Sequence, residues 1–144
     1  GRDGVLVDTI GYCLDQAWRA GEILVVDQTP AHESAAERQL AAWHASGKIR
    51  WVRLATPSVP AAMNRALQLA ERPLVLFLDD DLIPGEGIVA EHAAAHAPPR
   101  VGVVVGQIIQ PWQTPSDVPI PSSRSELKAD FEFPFHTTRR ATLR

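Results

Sequence analysis

Short apolar runs alternate along the chain with segments of helical periodicity, and this alternation limits the fold more than any other feature. Apolar residues recur at helical spacing over about 5–18, ahead of Gly21, which predicts an amphipathic first helix. Three further helices are predicted: one at about 33–45, one that begins after Ser58 as its N-cap, and one at 84–96. Because such alternation builds open sheets covered by helices, we expect an α/β fold with a doubly wound, mostly parallel sheet.

Four apolar runs are predicted to form the strands of this sheet. They are Ile23–Val26, Ile49–Leu54, Leu74–Leu78 and Val101–Ile109. The third run has the length and the β-branched and aromatic content of a buried parallel strand. Phenylalanines that alternate with other residues at 131–135 indicate a fifth, short strand. The helix after Ser58 is expected to bury Met63, Leu67 and Ala70.

Length and composition set the class of protein. The 144 residues fit one domain, 1–144, in which the Pro/Ser-rich segment 111–125 is expected to be a loop. A net charge of −3 argues against a general nucleic-acid binder. Cys13 is the single cysteine, which excludes an internal disulfide and favours a reducing compartment. No run reaches the roughly 18–20 apolar residues of a membrane span. We expect a cytoplasmic protein, in keeping with the reducing compartment.

Three consecutive aspartates, Asp79, Asp80 and Asp81, directly follow the third apolar run. Ligands of open α/β sheets bind at the carboxyl ends of the strands. Carboxylates gathered there favour a hard ion such as Mg²⁺ or Mn²⁺, which usually completes its coordination with substrate phosphates. Asp27 ends the first run and would lie on the same rim of a parallel sheet, within reach of the base or sugar of a nucleotide. The sequence therefore predicts a metal-assisted phosphate binder, with a solvated acidic turn as the alternative.

Four ordered segments within residues 5–109 carry a resemblance to a known family. They are Glu22–Asp27, Ile49–Leu54, Val59–Leu67 and Val75–Asp81. In order and spacing they resemble the GT-A glycosyltransferases of family 2. The resemblance implies a GT-A-like fold and a role in bacterial cell-envelope polysaccharide synthesis. It also implies that the donor is a nucleotide-diphosphate sugar (UDP, GDP or dTDP), from which the sugar passes to a glycan or lipid-linked acceptor with the help of Mg²⁺ or Mn²⁺. If the acceptor is lipid-linked, the protein is expected at the inner face of the membrane.

The same resemblance implies roles for the acidic residues. The family's D-x-D motif matches Asp79-Asp80-Asp81. Its last aspartate, Asp81, would bind the metal that bridges the diphosphate, with Asp79 as a further ligand. Asp79 or Asp80 would face the ribose, and Asp27 would lie near the base.

Several positions depart from the family pattern. Gln28 stands where a second acid is common, although its amide could still bind a base edge. Asn64 matches the asparagine of the helix after the glycine-rich loop. Met63 replaces an arginine, for which Arg65 is a candidate substitute. The residues Gln28, Asn64 and Arg65 are therefore expected to bind the donor.

Two further departures bear on activity. The family's first strand has no counterpart here, so the chain is expected to be a truncated member. Inverting transfer needs a carboxylate to take the proton of the acceptor hydroxyl, yet no Glu-Asp pair follows the last predicted strand, and the catalytic base is not identified. Two alternatives stay open. One is an inactive nucleotide-sugar-binding fragment, and the other is a phosphotransferase with Asp79 as nucleophile and Asp81 as acid/base.

Overall fold

The computed structural model describes residues 2–110 and 112, together with the strand pairing of 142–143. The chain divides into two compact units between Leu82 and Ile83. The first unit contains α1 (Arg2–Leu14), β1 (Leu24–Asp27), α2 (Ser34–Ala45), β2 (Arg50–Arg53) and α3 (Val59–Leu69). The second contains α4 (Ile88–Ala95), β3 (Gln107–Ile108) and β4 (Thr142–Leu143).

The sheet of the first unit is a parallel pair of strands, β1 and β2. The register runs from Leu24 opposite Arg50 to Asp27 opposite Arg53. The amide of Leu54 extends the ladder by donating to the Asp27 carbonyl at 2.8 Å. Helix α2 supplies the crossover that two parallel strands require. The predicted α/β class, a parallel sheet with flanking helices, is confirmed.

The core of the first unit lies where α1, α2 and the start of β2 meet. Ile10, Leu40 and Ile49 form its buried centre, and Leu40 is 0% exposed. Partly buried apolar side chains surround this centre: Leu6, Leu14, Ile23, Val25, Trp43 and Trp51. The apolar stripe of α1 thus packs against α2, as its spacing predicts.

Two helix ends follow from local sequence. Helix α2 ends at Ala45, two residues before Gly47, which has a φ of +71°, and the amide of Lys48 donates to the Trp43 carbonyl at 2.9 Å. This is the left-handed ending that glycine favours. Ser58 caps α3 by accepting a hydrogen bond from the amide of Ala61, as predicted. Helix α1, in contrast, ends at Leu14, well before Gly21.

Two predicted strands are wrong in whole or in large part. Leu74–Leu78 has no strand assignment, and Leu74, Val75 and Phe77 are 40–47% exposed. Val101–Ile109 contains a strand only at Gln107–Ile108. A strand is defined by the ladder of a neighbouring strand, and Leu74–Leu78 has no such neighbour in the described part of the chain. Its apolar composition alone is therefore insufficient to form one.

The predicted buried side of α3 is also wrong. Met63 and Leu67 are 43% and 53% exposed, and no residue of this helix is buried. Helix α3 contacts β1, but that contact leaves its apolar face uncovered. Periodicity identifies which residues share a face, whereas burial depends on what packs against that face.

The second unit contains a short helix and a short parallel strand pair. Helix α4 spans Ile88–Ala95, less than the predicted 84–96, and it buries Ile88 and His92. Strands β3 and β4 pair in parallel, with Gln107 opposite Thr142. The predicted strand at 131–135 lies outside the described residues. So does the predicted loop at 111–125, apart from Trp112, which is 80% exposed.

The organisation as a single domain, 1–144, stays a prediction. Across the residues that the structure describes, no helix is long and apolar enough to cross a membrane.

Candidate functional site

Asp27 lies at the carboxyl end of β1 and is the centre of a buried polar cluster. The residue is 6% exposed. Its Oδ1 accepts a hydrogen bond from the amide of Thr29 at 2.8 Å. Its Oδ2 accepts one from Trp51 Nε1 at 3.0 Å and lies 2.8 Å from His32 Nε2. The guanidinium of Arg53 adds a longer contact to Oδ2, at 3.9 Å.

His32 joins Asp27 to the first turn of α1. Its Nδ1 lies 3.0 Å from Asp3 Oδ1, and its side chain is 0% exposed. A neutral imidazole has one N–H, so contacts with two carboxylates require the imidazolium form. Burial alone lowers the pKa of His32, but the hydrogen bonds to Asp27 and Asp3 outweigh it, and the net pKa is raised. His32 is therefore a buried cation between two anions.

The pKa values of the two carboxylates, Asp27 and Asp3, shift in the direction opposite to that of His32. Burial raises the pKa of Asp27, but hydrogen bonds from Thr29, His32 and Trp51 outweigh it, and the net pKa is lowered. The pKa of Asp3 is lowered chiefly by the amide of Glu33, which donates to Oδ2 at 2.6 Å, and then by His32. Both groups are thus ionised near neutral pH, which keeps the three-residue bridge charged.

Gln28 connects the end of β1 to the loop that follows β2. Its Nε2 donates to the carbonyls of Thr56 and Ser58, each at 3.0 Å. Its Oε1 accepts from the amide of Ser58 at 3.1 Å. Both ends of the amide are therefore engaged within the protein. A carboxylate at this position would be unable to donate to the two carbonyls.

The three aspartates form an acid turn, defined here as Asp79–Asp81. Asp79 and Asp81 are exposed, and Asp80 is partly buried. Asp80 Oδ2 lies 3.6 Å from Arg2 Nη2. The hydroxyl of Thr9 lies 3.0 Å from the carbonyl of Asp80 and 2.9 Å from that of Leu82. Helix α1 therefore contacts the acid turn through two of its side chains.

The first turn of α1 has contacts with both acidic groups. Arg2 contacts Asp80, and its neighbour Asp3 contacts His32, which reaches Asp27. The acid turn does not follow a strand, so the prediction that it shares the rim of a parallel sheet with Asp27 is wrong. The two acidic groups are linked instead through separate contacts with the first turn of α1.

The remaining predicted residues lie on α3. Asn64 and Arg65 are both exposed. Arg65 Nη1 lies 3.5 Å from Gln68 Oε1 on the same helix. Their side chains are accordingly accessible to a ligand.

The acid turn fits a divalent ion that draws most of its ligands from a substrate. Within residues 2–110, no group of three or more histidine, cysteine or acidic side chains is arranged to hold a metal ion. Asp79 and Asp81 offer exposed carboxylates, and one or two carboxylates are what Mg²⁺ takes from a protein when phosphates and water supply the rest. The donor set therefore suits a metal–diphosphate complex better than a free ion.

Four residues of this region were not predicted as functional: Asp3, Thr9, His32 and Trp51. Thr9 and Trp51 belong to apolar periodic segments, so their polar atoms carry no separate signal in the sequence. His32 lies five residues after Asp27, in the segment that precedes α2, where no motif marks it. Their partners are distant in sequence, and only the folded chain shows them.

Comparison with known proteins gives one finding. A family model described as glycosyl transferase family 2 matches residues 2–140 of the 144. Searches of curated proteins and of solved structures returned no match. The match favours the transferase hypothesis over the phosphotransferase with an aspartate nucleophile.

Proposed function

Because the chain belongs to glycosyl transferase family 2, we propose that it binds a nucleotide-diphosphate sugar and transfers the sugar to a hydroxyl acceptor with the help of Mg²⁺ or Mn²⁺. The observation that carries the metal and donor assignment is the pair of exposed carboxylates, Asp79 and Asp81, in a turn that α1 anchors. In this proposal Asp81 binds the ion and Asp79 is its second ligand or, like Asp80, faces the ribose. A divalent ion bound there neutralises the charge that develops on the leaving diphosphate.

The donor's nucleoside is proposed to lie toward the end of β1. Asp27 is buried and bonded to Thr29, His32 and Trp51, so in this proposal it supports the edge of the site that lies beside the base. Gln28 holds the adjacent loop and shapes the same edge. Arg65 and Asn64, exposed on α3, offer a positive charge and an amide to the phosphates or the base.

The proposal extends to the acceptor and the location of the protein. The acceptor is a glycan or a lipid-linked sugar, and the donor nucleotide is UDP, GDP or dTDP. The single cysteine, Cys13, is free, which suits a reducing compartment. We therefore place the protein in the cytoplasm, at the inner membrane face if the acceptor is lipid-linked.

The decisive experiment measures binding of UDP, GDP and dTDP by calorimetry, with and without Mn²⁺. We expect Mn²⁺ to increase the affinity of the 144-residue chain for one of these nucleotides. Asp81→Asn should remove this increase, because it replaces an anionic oxygen ligand by a neutral one. Asp15→Asn changes an exposed aspartate of the same unit and should behave as the unchanged chain does. Equal Mn²⁺ dependence in the Asp81 and Asp15 variants would refute the metal assignment.

A second candidate is donor binding without transfer. In the described part of the second unit the acidic residues are Glu86 and Glu91, and both are exposed. Neither is in the desolvated setting that raises the basicity of a general base. Release of sugar from the donor, measured alongside the calorimetry, separates the two candidates: binding with turnover supports the transferase, and binding alone supports the second.

A further inference from the structure

Thr9 makes a long-range contact with the backbone of the acid turn. It lies on α1, is 6% exposed, and its hydroxyl faces the carbonyls of Asp80 and Leu82 at 3.0 and 2.9 Å. These two carbonyls flank Asp81 on either side. A hydroxyl has one proton, so it donates to one carbonyl at a time or is shared between them.

Among the residues that the structure describes, few others constrain the acid turn. The segment before it has no strand assignment, so no ladder holds the turn from that side. The ion pair between Asp80 and Arg2 is 3.6 Å long, and the Arg2 side chain is 87% exposed. Exposed pairs of this kind contribute little, because water screens them and long side chains lose entropy. The buried hydroxyl of Thr9 is the better-placed constraint on the backbone at Asp81.

We propose that Thr9 is a positioning residue, which holds the backbone on both sides of Asp81 so that the Asp81 carboxylate is directed toward a divalent cation. The inference rests on the proposed function, because it takes Asp81 as the ligand. Thr9 itself does not touch the ion. The hydrogen bond from Thr9 reduces the number of conformations that the Asp81 carboxylate samples before the ion binds. A carboxylate that is already ordered binds an ion more tightly than a mobile one, because less conformational entropy is lost on binding.

The test compares substitutions that differ in the hydroxyl. Thr9→Val keeps the shape of the side chain and removes the hydroxyl, and Thr9→Ser keeps the hydroxyl. Ser46→Ala is the matched control, because Ser46 Oγ also donates to a backbone carbonyl, that of Trp43, at 3.0 Å, but at the end of α2. If Thr9→Val fails to fold, Thr9→Ala removes the same hydroxyl with less side chain to accommodate.

Two quantities are measured on the 144-residue chain. Mn²⁺ affinity in the presence of UDP, GDP or dTDP is measured by calorimetry, and backbone order of Asp80, Asp81 and Leu82 is measured without metal by the ¹H–¹⁵N nuclear Overhauser effect. We expect Thr9→Val to weaken Mn²⁺ binding about fivefold, the value of one hydrogen bond, and to lower the order of the turn. Thr9→Ser and Ser46→Ala should stay within about twofold of the unchanged chain, well below that loss.

The outcomes separate this inference from the proposed function. If the unchanged chain binds Mn²⁺ and Thr9→Val binds it equally well, the positioning role is wrong and the metal assignment stands. If Thr9→Ser loses as much affinity as Thr9→Val, the effect is one of packing and the positioning role is again wrong. If the unchanged chain binds no Mn²⁺ with any of the three nucleotides, the metal assignment fails, and with it the positioning role, whatever the order of the turn.

Discussion

His32 Nε2 lies 2.8 Å from Asp27 Oδ2, and the imidazole that makes this contact is 0% exposed. The other ring nitrogen reaches Asp3, so one buried cation joins the start of α1 to the end of β1. Arg53 is the further charged group near Asp27. This bridge spans elements that are far apart in sequence, and it should therefore affect the stability of the whole first unit.

The first prediction concerns the pH dependence of stability. The pKa of His32 is raised in the folded chain. Its contribution to the free energy of unfolding is therefore complete below the ordinary histidine pKa of about 6.5, and this contribution is lost as the pH rises through the folded pKa. The pKa values of Asp3 and Asp27 are lowered in the folded chain. Their contribution to the free energy of unfolding is therefore complete above about pH 4, and it is lost as the pH falls through their folded pKa values. The bridge should stabilise most between about pH 4 and 6.5.

Urea unfolding followed by tryptophan fluorescence checks this dependence, since Trp18, Trp43 and Trp51 lie in the first unit. His32→Gln removes the titrating group and should flatten the loss of stability on the alkaline side. An alkaline loss of the same size in this variant and in the unchanged chain would contradict the prediction.

The second prediction concerns the cost of removing the imidazole. His32→Ala removes the closest cation of the buried Asp27 carboxylate and leaves it the longer contact to Arg53, and breaking a buried pair in this way costs about 3 kcal/mol. His96→Ala is the control, because His96 bonds the His92 carbonyl within its own helical segment. Unfolding free energies at pH 6 should differ strongly between the two variants. Similar values would mean that the bridge contributes little.

The third prediction concerns Gln28. Gln28→Glu keeps the shape of the side chain but removes both donated hydrogen bonds and places a negative charge against the carbonyls of Thr56 and Ser58. The expected loss is about 1–3 kcal/mol of unfolding free energy. Gln68→Glu makes the same change at an exposed position of α3 and should stay within about 0.5 kcal/mol of the unchanged chain. A Gln28→Glu chain as stable as this control would show that the loop is held by other contacts.

The fourth prediction concerns the core of the first unit. Leu40 is 0% exposed, so Leu40→Ala should cost about 2–5 kcal/mol through lost burial and an unfilled cavity. Leu67→Ala makes the same change on α3, where the side chain is 53% exposed, and should cost well under half as much. Urea unfolding of both variants at one pH measures the difference. Equal losses would place α3 in a more buried environment than the structure shows.

The sequence was sufficient to predict features that depend on only a few neighbouring residues. Helix α2 ends just before Gly47 and α3 begins after Ser58 because a left-handed turn and a hydroxyl cap each act over one turn of chain. The parallel pairing of β1 and β2 was also predictable, since a helix lies between them. The run Leu74–Leu78 was not, because a strand depends on a partner that its own composition does not specify.

Residue identity alone determined the α/β class and the position of three adjacent carboxylates, because hydrophobic periodicity, turn residues and charge can be read directly from the sequence. Tertiary structure decided which polar groups meet. His32 became a charged bridge between Asp27 and Asp3, and Thr9 came to face the carbonyls beside Asp81, only when α1 packed beside them. The strength of a hydrogen bond or an ion pair depends on distance and burial, and neither is set until residues that are remote in sequence are brought together.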